Sequence, residues 1–206
     1  MFLMKLKVIG LGFGLLMASA MPAFAADSQT TTTQPNAQTN TQTNSTTANT
    51  QAPATQDNSK NAEIIAWVMT VDKSEIAAAK IVLKKKISEP VKKFAQMMIS
   101  QHGKNLMRAK QLSHHMKVKP VEGSDAKSLK EDSEKEGKKL EGMTDGVDKE
   151  YMNAMVDGHT AALKQVDDYL QAGDQNPKMQ KFLKDTKEMI SHHLDEAKKV
   201  QGNLKD

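Results

Sequence analysis

The chain has 206 residues, 38% hydrophobic and 26% charged, with a formal net charge of +4 and no cysteine. Without cysteine there are no disulfides, no thiolate metal sites and no lipid-modified N-terminal cysteine. Lysines and acids interleave along the chain, and no aromatic residues alternate with a basic stripe, so nothing marks a nucleic-acid surface.

The first predicted element is a signal peptide over residues 1–25. Lys5 and Lys7 form a positive n-region, Val8 to Ala20 an apolar run of 13 residues, and Ala23-Phe24-Ala25 a small-residue cleavage motif. Such a run is shorter than the roughly 20 residues of a membrane span. Cleavage after Ala25 is expected, with no transmembrane span in the mature chain and a location in the periplasm or outer envelope of a bacterium. Removing Lys5 and Lys7 takes two positive charges away and lowers the net charge from +4 to +2.

Residues 26–60 follow as a linker. Thr, Gln and Asn fill 22 of these 35 positions, and only Asp27, Asp57 and Lys60 are charged. So little apolar surface cannot offset the entropy of ordering the chain, and disorder is expected. The remainder, 61–206, has the size of one domain.

Within it, apolar residues recur with a helical period, and Pro90, Pro120 and Pro177 mark the interruptions. Four long helices are predicted, over 61–86, 89–116, 148–172 and 177–203. Ser88-Glu89-Pro90 and Asn176-Pro177 supply N-cap and first-turn signals, and Asp148 is placed to cap the third long helix. Between the second and third lies a charged, glycine-interrupted stretch, in which a short exposed helix over 126–141 is expected. No stretch alternates as a strand would. The fold class is therefore all-α, a four-helix bundle with one long crossover carrying a short extra helix.

The buried faces carry the unusual residues. His102 lies among Phe94, Ala95, Met98, Ile99, Leu106 and Ala109 at spacings of three, four and seven. His159 lies among Met152, Met155, Val156, Ala162, Leu163 and Val166, and His193 among Phe182, Met189, Ile190, Ala197 and Val200. The pentads MISQH, MVDGH and MISHH repeat one pattern with a methionine one turn before the histidine. In the first helix Glu75 takes the equivalent place, between Val68, Val71, Ala78, Ala79 and Val82. His192, His114, His115 and Asp157 fall off these stripes and are expected at the surface.

An isolated buried charge costs several kcal/mol unless it is paired or neutralised. Glu75, His102, His159 and His193 must then satisfy one another or coordinate something. Two readings stay open on the residues. One is a buried polar network that fixes helix register. The other is a site for one transition metal ion, Zn, Fe, Mn or Cu, with those four residues as ligands. A Met/His layer of this kind would also suit Cu(I).

From Trp67 onward the domain resembles the exported bacterial proteins grouped as domain of unknown function 4142, whose members look ferritin-like. The stretches that carry the likeness are WVMTVDKSEIAAAK, VKKFAQMMISQH, LEGMTDGVDKEYMNAMVDGH and the pair His193-Leu194. The resemblance implies a ferritin-like bundle, with Glu75, His102, His159 and His193 on the family's recurrent polar core positions. Two places depart from its pattern: Gln101 stands where an acid is usual, and the lysine run Lys84 to Lys86 ends the first helix. The family label implies no activity.

A di-iron carboxylate site needs Glu-x-x-His motifs and several inward glutamates, and the chain has neither. No Ser-His-Asp set, phosphate loop or paired catalytic carboxylates can be picked out, so binding is favoured over catalysis. The expected function is metal sequestration or stress protection in the envelope. The alternative is a structural or interaction protein of the envelope, with an envelope protein as partner and a metal-free polar core.

Overall fold

The computed structural model describes residues 55–173 and 176–204, and these form five helices and no strand. Residues 1–25, expected as a signal peptide, and residues 26–54 of the expected linker lie outside the described residues. The helices are α1 (Thr55–Val82), α2 (Glu89–Met116), α3 (Ser124–Gly142), α4 (Val147–Gln171) and α5 (Pro177–Gly202). No helix among the described residues is long and apolar enough to cross a membrane.

The four long helices close a ring, α1 against α2, α2 against α5, α5 against α4, and α4 against α1. Two apolar clusters set their directions. A lower cluster joins Ile64 to Val71 of α1, Ala109 and Leu112 of α2, Ala162 and Val166 of α4, and Met179 to Ile190 of α5. An upper cluster joins Ala79 and Val82, Val91 to Met98, Val147 to Met155, and Ala197. Thus α1 and α5 run upward, α2 and α4 run downward, and every neighbouring pair in the ring is antiparallel. Each fully buried Leu, Ile or Met contributes roughly 1.5–3 kcal/mol by leaving water. Between the clusters lies a polar layer, because Asp72, His102, His159 and His193 each separate lower-cluster from upper-cluster residues along their helix.

Element boundaries differ from expectation at one long helix. α1 begins at Thr55, six residues before the predicted start, and it ends at Val82 rather than 86. Its last turn tightens, with Lys84 N–H on Ile81 O and Lys85 N–H on Val82 O. Lys85 leaves the helix so that its Nζ can donate to the carbonyls of Glu141 and Met143. Those groups close the C-terminus of α3, where a cation offsets the helix dipole.

The N-terminal signals divide. Asn176 caps α5 as predicted, its Oδ1 accepting from Lys178 N–H at 2.9 Å and Met179 N–H at 3.4 Å. Ser88 occupies the N-cap position of α2, but its hydroxyl makes no capping bond. Asp148 does not cap its own helix, which starts from Gly146 at φ 68°. Its carboxylate reaches across the bundle and accepts from Ser88 N–H at 3.0 and 3.2 Å.

α3 is longer than expected and is not merely a surface strap. It packs along α1, with Ala126 and Leu140 fully buried, while its charged face stays in water. Gly103 sits inside α2, and a methyl added there would meet no atom within 4 Å. Glycine in a helix interior costs about 0.5–1 kcal/mol relative to alanine. Gly103→Ala should therefore raise the urea midpoint by an amount equivalent to about 0.5–1 kcal/mol. A loss instead would mean that α2 needs a glycine beside His102.

Candidate metal centre

The polar layer is built from all four long helices. α1 supplies Asp72 and Glu75, α2 supplies Gln101, His102 and Asn105, α4 supplies His159, and α5 supplies Thr186 and His193. His102 and His193 are fully buried, and His159 is 2% exposed. The three rings face one another, with centroids 4.9 Å apart for His102 and His193, 5.4 Å for His159 and His193, and 5.8 Å for His102 and His159. One ring nitrogen from each lies within 4.8 Å of one from each of the others.

Each histidine spends one nitrogen on an acceptor outside the cluster. His102 Nδ1 lies 2.9 Å from Asp72 Oδ1, His159 Nδ1 lies 2.8 Å from Met155 O, and His193 Nε2 lies 2.9 Å from Gln101 Oε1. A carboxylate or carbonyl oxygen can only accept, so those nitrogens carry the ring protons. The other three, His102 Nε2, His159 Nε2 and His193 Nδ1, are buried and have no hydrogen-bond partner. Each is left as a bare lone pair.

The electrostatics agree. Burial lowers His193 to about 2, with the positive forms of His102, His159 and His192 pushing the same way. Burial also lowers His159, partly offset by the Glu75 charge. Both rings are therefore neutral at pH 7, the form that coordinates a metal. Burial raises the Asp72 carboxyl, while hydrogen bonds from His102 and Asn105 pull it back.

Below the rings the layer is satisfied. Asn105 Nδ2 donates to both Asp72 oxygens at 3.3 and 3.2 Å, and Thr186 Oγ1 donates to Asn105 Oδ1 at 3.3 Å. Above them it is not. Glu75 Oε2 and Tyr151 Oη are buried without partners. Burial lifts the Tyr151 phenol well above its usual value and the Glu75 charge adds to this, so the hydroxyl stays protonated.

Of the four residues predicted as a set, the three histidines meet. Glu75 lies beside them, half-buried, but its oxygens are not in the group of converging ligand atoms. The fully buried acid of α1 is Asp72, which the sequence reading passed over. Its signal was present: Val68, Asp72, Glu75 and Ala79 are spaced four, three and four along one face. Asn105 and Thr186 were also missed, one turn and two turns from a histidine. His192, His114, His115 and Asp157 are exposed, as their positions off the stripes required.

The lowered histidines make the metal-free fold sensitive to acid. A group whose folded value is depressed contributes its full stability above the unfolded value, near 6.5, and loses it as pH falls. For His193 the loss between pH 6.5 and pH 5 is about 2 kcal/mol. Urea midpoints of chelator-treated protein should drop over that window, and His193→Leu should remove about 2 kcal/mol of the drop. An unchanged drop in the variant would mean that His193 is not held neutral.

Comparison with known proteins gives a family and a fold. A family model described as "Domain of unknown function (DUF4142)" matches residues 25–200. The crystal structure of a DUF305 fragment from Deinococcus radiodurans is similar, with a TM-score of 0.62 at 14% identity over 74% of this chain and 100% of that one. At that identity the likeness shows the fold alone. No curated protein matches the chain.

Proposed function

The chain belongs to the DUF4142 family, whose description assigns no chemistry, and from the site itself we propose that it is an exported helical bundle binding one transition metal ion. His102 Nε2, His159 Nε2 and His193 Nδ1 are the ligand atoms, and the role is metal sequestration or stress protection in the bacterial envelope. The carrying observation is the set of three bare, buried ring nitrogens, each on a histidine whose N–H is anchored outward. A buried acceptor without a partner costs about 1–3 kcal/mol, a cost that a core of leucines would not carry three times over. A metal ion satisfies all three at once.

The donor set fits the ion. A tetrahedral site with metal–nitrogen bonds near 2.0–2.1 Å places nitrogens about 3.4 Å apart. One nitrogen from each ring already lies within 4.8 Å of the others, so closing by at most about 1.4 Å reaches that spacing. Imidazole suits Zn, Cu and Fe, and the absence of thiolate disfavours soft-metal selectivity. Asp72 is the carboxylate that orients and strengthens a histidine ligand. The ring of antiparallel helices with one long crossover supports reading the bundle as ferritin-like. The n-region, apolar run and cleavage motif of residues 1–25 support export.

The test is to express the full chain in a bacterium and purify it from the exported fraction without chelator. The mature N-terminus should be Ala26, and elemental analysis should find about one transition metal per chain, lost in His102→Ala and His193→Ala. A chain retained with its first 25 residues in the cytoplasm overturns the export. Metal-free protein whose stability no metal changes overturns the site.

A further inference from the structure

We propose that Glu75 and Tyr151 hold the fourth position of this metal open for an exchangeable oxygen ligand, water in the resting protein; the inference rests on the tri-histidine reading. The observations are independent of the three histidines. Tyr151 is fully buried, yet its hydroxyl has no hydrogen-bond partner. Glu75 Oε2 is also buried and unpartnered. Both lie on the upper side of the layer: Tyr151 is two turns before His159 on the same face of α4, and Glu75 is one turn beyond Asp72 on α1. The Glu75 charge partly offsets the lowering of His159 and adds to the rise of Tyr151. Its other oxygen approaches the backbone of α4 beside His159, 3.8 Å from where a Cβ on Gly158 would be.

Two buried oxygens without partners on the upper side of the layer call for a small polar molecule there. One water would satisfy both of these buried oxygens. Its oxygen binds the metal and accepts the Tyr151 O–H, and one of its hydrogens is donated to Glu75 Oε2. Three protein ligands and an exchangeable fourth are the arrangement of open metal sites, whereas closed structural sites use four protein ligands. A negatively charged Glu75 beside that position favours a neutral, proton-donating ligand and opposes an anion.

Cobalt(II) and azide test this. The metal-free full chain is loaded with one equivalent of cobalt and titrated with azide, with the visible ligand-field bands as readout. Wild type should show four-coordinate bands that azide shifts. Glu75→Gln should retain cobalt with less than about a tenfold loss of affinity and bind azide about tenfold more tightly, since a repelling charge is gone. Tyr151→Phe should fold, bind cobalt and weaken azide several-fold. Absence of cobalt bands in wild type overturns this inference and the tri-histidine site together. Cobalt bands that azide changes in neither wild type nor Glu75→Gln overturn the open position alone. A loss of cobalt affinity beyond about a hundredfold in Glu75→Gln would make Glu75 itself the fourth ligand, and overturns it too.

Discussion

One equivalent of zinc should raise the thermal midpoint of the metal-free protein by about 10 °C, and the gain should vanish in His193→Leu. Ligand binding to the folded state alone stabilises by RT ln(1 + [L]/Kd), about 4 kcal/mol at a thousandfold excess over Kd. A bundle of this size shifts by roughly 2–4 °C per kcal/mol or somewhat more. The leucine variant separates site from scaffold. His193 is fully buried with Nδ1 unpartnered, so replacing it with an apolar side chain of similar volume removes an unsatisfied acceptor. Its remaining partner, Gln101, is only half-buried and can turn to water. The metal-free variant should therefore match wild type within about 1 kcal/mol. Calorimetry on both proteins, with and without zinc, gives the four midpoints needed. A zinc shift that survives in His193→Leu, or none in wild type, would sink the metal site.

The histidines were legible because their burial follows from local periodicity. A residue three, four and seven positions from apolar neighbours has to face the core wherever its helix packs. The same rule could not choose between Asp72 and Glu75. Both lie on the inner stripe of α1, about 60° apart by helical geometry, and the rotation of α1 against α2 decides which is buried. That rotation is set by His102 and Asn105, some thirty residues away, which close on Asp72. The errors at helix ends have the same origin. Lys85 looked like helix because its partners are the carbonyls of Glu141 and Met143, far along the chain. Asp148 looked like the cap of its own helix because nothing local reveals Ser88 N–H across the bundle. Which nitrogen of each histidine stays bare is likewise decided by acceptors on other helices in two cases of three. Only His159, anchored to Met155 O one turn back, could have been read from its own segment.

Asp72→Ala should be the most damaging single change in the layer, costing about 3–5 kcal/mol in the metal-free protein. Three hydrogen bonds converge on this carboxylate, one from His102 and two from Asn105, all in a fully buried setting. Alanine strands the His102 Nδ1–H and the Asn105 amide without water to replace the lost acceptor. Asn105 is tied to Thr186 in turn, so the disturbance joins α1, α2 and α5. Asp72→Asn should cost less, about 1–2 kcal/mol, because its amide oxygen still accepts one of the bonds. Metal affinity orders the variants differently from stability. In Asp72→Asn the ring of His102 loses the carboxylate that anchors it, so zinc affinity should fall about 10–100-fold although the fold survives. Urea denaturation measures the first effect and competition with a chromophoric chelator the second. If Asp72→Asn keeps wild-type zinc affinity, Asp72 serves helix packing alone. If a double variant with His102→Leu recovers most of the stability lost in Asp72→Ala, the cost lay in the stranded imidazole, as the geometry requires.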